Sequence, residues 1–335
     1  MTKSERIRAA IAGERTDRIP YAIWSHIPGI DLIPERIAEE TYLFYKQYDI
    51  DFIKTLNNGM YSIEDFGGQA DYSGIEKGGV AALTHSPVSS AEDWDAIRPA
   101  DTGKGALARE LRYLDLLMKR LDGEPVPVVF TIFSPLTTAS KLSENRIMEH
   151  IQQGQGIRVH RALEIITETT CRLVERAIEK GASGIFFATQ LSNYGVMPEA
   201  WYEEFGKPYD VRVLKASKGW CNMLHAHGDN IMFPLLRDYP AQIFNWHVGE
   251  SLPDMDEALL MTKKCVMGGL KRADITQDRR NALANQIYRA IRATGGRRLI
   301  LTPGCVIRYP LNENTMHYVK QAKEAIEQEF RKEII

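Results

Sequence analysis

Eight short runs of apolar and β-branched residues recur along this chain, alternating with stretches of helical spacing, and that alternation narrows the fold more than any other feature. The runs are residues 19–24, 51–56, 125–133, 183–189, 221–227, 241–248, 265–270 and 298–304. Helical periodicity fills 36–48, 105–121, 157–180, 199–217, 278–294 and 313–332, the last with Val319, Ala322, Ile326 and Phe330 on one face. Eight strands each followed by a helix specify an α/β fold of the (β/α)8 TIM-barrel class, a single domain over residues 1–335. Residues 2–12 read as a short leading helix with Ser4 as its cap, and Pro198 as a first-turn proline. The longest connection, 57–100, follows the second run, is rich in Gly, Asp and Ser, and is expected to form a lid or pocket wall. A doubly wound open sheet is the competing architecture, but no G-x-G-x-x-G follows the first run.

Composition removes several function classes. The chain is 44% apolar and 26% charged with a formal net charge of −2, and no Lys/Arg run stands out, so neither nucleic acid nor an anionic membrane is an expected partner. The opening residues Met1 to Arg8 are charged and lack a signal-peptide core, and no apolar stretch reaches bilayer-spanning length, which together point to the cytoplasm. The four cysteines, at 171, 221, 265 and 305, show no C-x-x-C spacing, which argues against a disulfide framework or a zinc ribbon. Cys171, Cys221 and Cys265 read as small buried hydrophobes. Cys305 differs, because it follows Pro303-Gly304 at a strand's exit.

In a barrel of this class the active site occupies the C-terminal ends of the strands. Those ends carry Trp24-Ser25-His26, Asn57-Asn58, Phe133-Ser134, Thr189-Gln190, His225-Ala226-His227, Asn245-Trp246-His247, Gly268-Gly269 and Cys305. His225 and His227 project to the same side of an extended chain. With the Cys305 thiolate from another strand they make a three-ligand zinc site with an open fourth position. His247 reads as a fourth ligand, a substrate contact or a supporting donor. His26, Gln190 and His247 are the catalytic candidates; Trp24, Asn57, Ser134, Gly268 and Gly269 are the substrate-binding candidates. Glu64 and Asp65 read as solvated loop surface, and His85, His150, His160 and His317 as structural residues without partners.

At Ile185–Gln190, Leu224–Gly228, Asn245–His247, Met267–Leu270 and Gly304-Cys305 through Pro310–Asn314, the sequence resembles the uroporphyrinogen decarboxylase superfamily over nearly its whole length. That resemblance implies a (β/α)8 barrel and one of two chemistries. The decarboxylase branch carries Arg-Gln-Ala-Gly-Arg after its first strand to bind substrate carboxylates; here Trp24-Ser25-His26-Ile27-Pro28-Gly29 stands there, and Arg36 is the sole arginine between 19 and 50. That branch's key aspartate is replaced by the Asn57/Asn58 region, and its tyrosine has no counterpart in Phe133–Leu136. The other branch holds zinc through His-x-Cys and a later Cys, and His225, His227 and Cys305 match it with imidazole in the middle place. The resemblance therefore implies a zinc-dependent methyltransferase that moves a methyl group between a corrinoid protein and a thiol or similar nucleophile, with cofactor-independent decarboxylation in porphyrin and haem biosynthesis as the alternative. A non-catalytic barrel that binds a corrinoid or small molecule is a third reading. No Asp-x-His-x-x-Gly motif is present, so the cobalamin would come with a corrinoid-carrying partner protein. A second copy of the chain, in a homodimer, completes the expected partners.

Overall fold

The apolar runs bury both faces, as parallel strands wrapped by helices must. In the computed structural model, which describes residues 1–78 and 80–333, nine strands form: β1 Ile53–Lys54, β2 Gln69–Asp71, β3 Ala82–His85, β4 Val128–Phe133, β5 Gly184–Thr189, β6 Met223–Ala226, β7 Ile243–Trp246, β8 Cys265–Leu270 and β9 Leu299–Pro303. Seven of them make one curled parallel sheet in the order β1-β4-β5-β6-β7-β8-β9, with helices on its outer side. Every residue of β4, β5, β6, β7 and β9 is buried. Because all seven run the same way, their C-terminal ends gather at one end of the molecule.

The first apolar run departs from the eight-strand expectation. It stays extended but joins the sheet through isolated bonds: Leu301 N donates to Pro20 O (2.8 Å), Ala22 N to Leu301 O (3.1 Å) and Asp51 N to Tyr21 O (2.7 Å). Pro20 has no N–H to give to a ladder, which shortens the pairing on that side. The segment nevertheless touches both β9 and the approach to β1, so it bridges the two edges of the seven-stranded sheet.

Helices fall close to the expected spans: Lys3–Ala12, Pro34–Tyr48, Gly105–Leu121, Gly156–Glu179, Arg280–Thr294 and Glu313–Glu333. The leading helix is capped by Thr2 in a reciprocal box with Glu5, not by Ser4, which lies inside its first turn. The stretch expected as one helix at 199–217 is two, Glu199–Phe205 and Lys207–Ala216, broken at Gly206 ahead of Pro208. Pro198 sits at the cap position of the first of these, one residue earlier than expected. No helix among the described residues is long and apolar enough to cross a membrane.

The connection 57–100 holds a short helix, Tyr61–Glu64, and the antiparallel β2–β3 hairpin. Two residues expected there as solvated surface are engaged. Glu64 receives both Nη atoms of Arg109 (2.8 and 2.9 Å), and Asp65 accepts from the backbone N–H of Ala106 and Leu107, closing the N-terminus of the Gly105–Leu121 helix. His150 and His160 also have partners, Trp94 Nε1 at 2.9 Å and the Tyr209 hydroxyl at 2.7 Å.

Asp51 joins the leading helix, the first run and β1. It is fully buried, takes Arg6 Nη1 (2.7 Å) and Arg18 Nη2 (2.8 Å) on one oxygen, and takes the Tyr21 N–H (2.9 Å) on the other. Removing that carboxylate leaves the Tyr21 N–H without its acceptor in the interior and takes one of two carboxylate partners from Arg6, which keeps Asp17, and from Arg18, which keeps Asp49. Asp51→Ala is expected to destabilise the fold by about 3 kcal/mol, read as a lower midpoint in urea unfolding with an unchanged slope.

Candidate metal centre

The strand exits converge on four soft donors. Leu224 and Ala226 point outward into the helices with no exposure, so their neighbour in β6, His225, must point inward. His227 follows the strand directly, held by its N–H to Thr189 O (2.9 Å). His247 leaves β7 in a turn whose Glu250 and Ser251 N–H groups both bond its carbonyl (2.9 and 2.8 Å). Cys305 leaves β9 after Gly304, where a Cβ would lie 2.8 Å from His247 Cα and 3.0 Å from Trp246 O. Only glycine lets the β9 exit pass so near the β7 exit, and that passage sets the thiol beside the imidazoles.

The Cys305 Sγ stands 3.6 Å from His227 Nδ1 and 3.9 Å from His225 Nε2. One donor atom from each of His225, His227, His247 and Cys305 lies within 4.8 Å of the others. Donors around a tetrahedral zinc at ordinary bond lengths sit roughly 3.3–3.8 Å apart, so this set needs only a small contraction to close on the ion. His247 Nε2 is buried without a hydrogen-bond partner, as a ligand atom awaiting a cation would be.

Protonation states suit the same role. Asn245 Nδ2 donates to Met267 O (2.8 Å), so its Oδ1 faces His225 and accepts from His225 Nδ1–H (2.6 Å). That fixes the tautomer and leaves the Nε2 lone pair toward Cys305. Burial holds His225 well below the usual imidazole range, with His227 and His247 adding to the effect. Burial likewise lowers His227 and His247 to about 4, so all three rings are neutral near pH 7 and free to ligate. Burial pushes the Cys305 thiol up, against the pull of Arg272. Three neutral rings and a destabilised thiolate are a donor set whose chemistry fits a divalent ion of zinc's softness.

Three of the four donors face a cavity of about 350 Å³, which His247 does not line. Trp24, His26, Asn57 and Gln190 also line it, as do His225, His227 and Cys305. His26 Nδ1 is buried and unpaired, and burial lowers this ring to about 4. Asn57 Nδ2 donates to Glu110 Oε2 (2.7 Å), a carboxyl that burial pushes up to about 7. Ile75, Val80 and Ala81, from the 57–100 connection, form part of the cavity wall. Three candidates sit elsewhere. Ser134 is fully buried at the cap of the Pro135–Leu142 helix, its hydroxyl facing Thr137 N. Gly268 and Gly269 pack against Val248 and Ala290, with positive φ at both, and serve the wall of the curled sheet. The sequence reading did not single out Asn245 as an orienting residue, nor Lys54, Lys141, Arg272 and Arg308 as lining residues. A lone lysine inside the apolar run 51–56 was the available sign.

Comparison with known proteins gives a family and a fold. The uroporphyrinogen decarboxylase (URO-D) family profile matches residues 2–325. A curated relative, the methylcobamide:CoM methyltransferase MtbA of Methanosarcina mazei, is 22% identical over 138 residues, 41% of this chain and 40% of that protein's length. The solved structure of a methyltransferase from Methanosarcina mazei superposes with a TM-score of 0.83 at 19% identity, covering 99% of both chains. A B12-independent methionine synthase from Shewanella sp. W3-18-1 superposes at 0.64 with 16% identity, covering 95% of this chain and 96% of that one.

Asn245 does not line the cavity, and its side chain bonds His225 and the Met267 carbonyl, so its removal isolates the orienting role. Asn245→Ala is expected to weaken zinc binding on the order of 10- to 100-fold while leaving the fold intact, measured by competition with a chromophoric chelator.

Proposed function

The chain belongs to the uroporphyrinogen decarboxylase family, and from that premise and its donor cluster we propose that it is a zinc-dependent methyltransferase, moving a methyl group between a corrinoid carried by a partner protein and a thiol or similar nucleophile. The observation that carries this reading is the gathering of His225, His227, His247 and Cys305, of which His225, His227 and Cys305 line a cavity, with His225 oriented by Asn245. His225, His227 and Cys305 are the proposed ligands, and His247 the fourth donor or a substrate contact. When bound there, zinc would supply the positive charge that holds a thiol as its thiolate near neutral pH.

The protein's own residues do the remaining work. Neutral imidazoles leave the thiolate's charge to be balanced by the metal, whereas an imidazolium would repel the cation and protonate the sulfur. Trp24 and Phe186 give the cavity apolar walls that exclude water from the nucleophile. His26, with an unpaired ring nitrogen, and Gln190 are proposed to orient the substrate by hydrogen bonds. The segment 20–25 is proposed to act as the eighth stave of the barrel, which places Trp24 and His26 on the cavity. Gly268 and Gly269 are proposed to set the width of the wall, and Ser134 to hold the adjacent helix in place, both acting on the substrate at one remove.

The decarboxylase alternative is weakened by two features. The first run carries no arginine cluster. A cavity of about 350 Å³ also lies at the small end of the ligand-pocket range of roughly 300–1,000 Å³, and suits a small molecule better than a tetrapyrrole macrocycle.

Zinc-loaded protein is expected to transfer methyl groups from methylcobalamin to a thiol, followed by the corrinoid's absorbance change and by mass detection of the thioether. Cys305→Ala should lower the rate roughly 100-fold or more, beyond what loss of an outer-shell partner costs, whereas Cys171→Ala should match the native protein. Stepwise loss of carbon dioxide from uroporphyrinogen, with no thioether formed from any thiol, would overturn the proposal.

A further inference from the structure

Asn57 stands at the cavity wall, just past β1, with both ends of its amide engaged. Its Nδ2 donates to Glu110 Oε2 (2.7 Å), and its Oδ1 accepts from the Thr55 hydroxyl. Glu110 occupies a core position of the Gly105–Leu121 helix and is 1% exposed, beside the buried Leu107, Leu111 and Leu114. A carboxylate is rarely buried so deeply unless its charge is matched. Here the match is partial. Arg109 Nε donates to Glu110 Oε1 (2.9 Å), but the same guanidinium gives both Nη atoms to Glu64 (2.8 and 2.9 Å). Asp31 is a third acid acting on Arg109, and Tyr72 donates to Glu64 (3.0 Å). Tyr61 and Tyr113 also feel the Glu110 charge, with hydroxyls committed to Thr131 O (2.6 Å) and Thr41 Oγ1 (2.7 Å). Burial pushes the Glu110 carboxyl up to about 7 against the pull of Arg109, so both of its forms are populated near neutral pH.

The two forms make opposite demands on Asn57. An ionised carboxylate has only acceptors, so it takes an amide N–H, as described above. A neutral carboxyl holds its proton on Oε2, because Oε1 already faces the Arg109 N–H. Among the described residues Oε2 has no partner but Asn57, so the amide must then turn its oxygen to that proton. Thr55 can follow the turn. Its Oγ1 already accepts from Thr131 N (2.9 Å), and Thr131 Oγ1, 3.4 Å away, is a second acceptor for the Thr55 proton. Thr131 Oγ1 itself donates to Thr55 O (2.7 Å), so it is free to accept. A half-turn of the Asn57 amide therefore leaves every one of these groups paired in both states.

We propose that Glu110 is a positioning residue for the cavity's ligand. Through Asn57 it sets how the amide donor and acceptor are arranged at the cavity wall, and its proton reverses that arrangement. The inference goes beyond the methyl-transfer reading and needs neither zinc nor a thiol; it rests on the hydrogen bonds that join Asn57 to Glu110 and Thr55.

Two spectroscopic pH titrations of the full-length protein test it. Infrared difference spectra should show a neutral carboxyl band that is lost with a midpoint of about 7 and is absent from Glu110→Gln. In NMR spectra of isotope-labelled protein, the Asn57 side-chain N–H signals, assigned by their loss in Asn57→Ser, should move with the same midpoint. Glu110→Gln keeps an N–H turned toward Asn57 at every pH, as the neutral acid does. Its Asn57 signals should therefore stay at their low-pH positions throughout. Lys141 also lines the cavity, and burial lowers it to about 7, so Lys141→Met should keep the Asn57 shift. Stationary Asn57 signals in the native protein would overturn the proposal without any variant. A shift that survives Glu110→Gln, or vanishes in Lys141→Met, would overturn it too. A complete shift in a protein that methylates no thiol would remove the methyl-transfer reading and leave this one standing.

Discussion

One row of residues across the sheet holds the candidate site together. His225 is the register partner of Asn245, and Asn245 of Met267, on three adjacent parallel strands. Along that row a single chain of hydrogen bonds runs from the Met267 carbonyl through the Asn245 amide to His225 Nδ1. Strand pairing thus fixes more than the fold. A slip of one residue between β6 and β7 would turn His225 or Asn245 to the helical side and break the chain, so the register that buries Leu224 and Phe244 also sets which imidazole nitrogen faces Cys305.

From that row the remaining features follow by proximity. Parallel strands bring their exits to one end, and the missing Cβ at Gly304 draws Cys305 against the His247 backbone. Burial then makes the cluster chemically incomplete: three rings are kept neutral and the thiol is kept protonated, each at some cost in hydration. A soft divalent cation held by these donors would remove that cost.

Much of this was legible in the sequence. Alternation of β-branched runs with helical spacing located seven of the strands to within a few residues, because parallel buried strands need continuous apolar segments. His225, His227 and Cys305 were visible as polar residues at the ends of such runs, and they do come together. Three kinds of information were not legible. Pairing depth was hidden: Pro20 reads as apolar, yet its missing N–H reduces the first run to isolated bonds. Local hydrogen-bond competition was hidden as well, so the cap fell to Thr2 rather than Ser4, and Glu64 and Asp65 found partners far along the chain. Direction was hidden at Ser134, Gly268 and Gly269, which sit at strand ends but turn into the wall. The burial of Lys54 belongs with these, since a charge inside an apolar run reveals its environment only once the neighbouring strand supplies Phe186.

X-ray absorption at the zinc edge tests the central claim most directly, because it counts the atoms bound to the metal without relying on turnover. The account predicts a first shell of mixed nitrogen and sulfur with a single protein sulfur, which disappears in Cys305→Ala, and a second sulfur on addition of an acceptor thiol. A shell of oxygen and nitrogen alone, indifferent both to Cys305 and to added thiol, would contradict it.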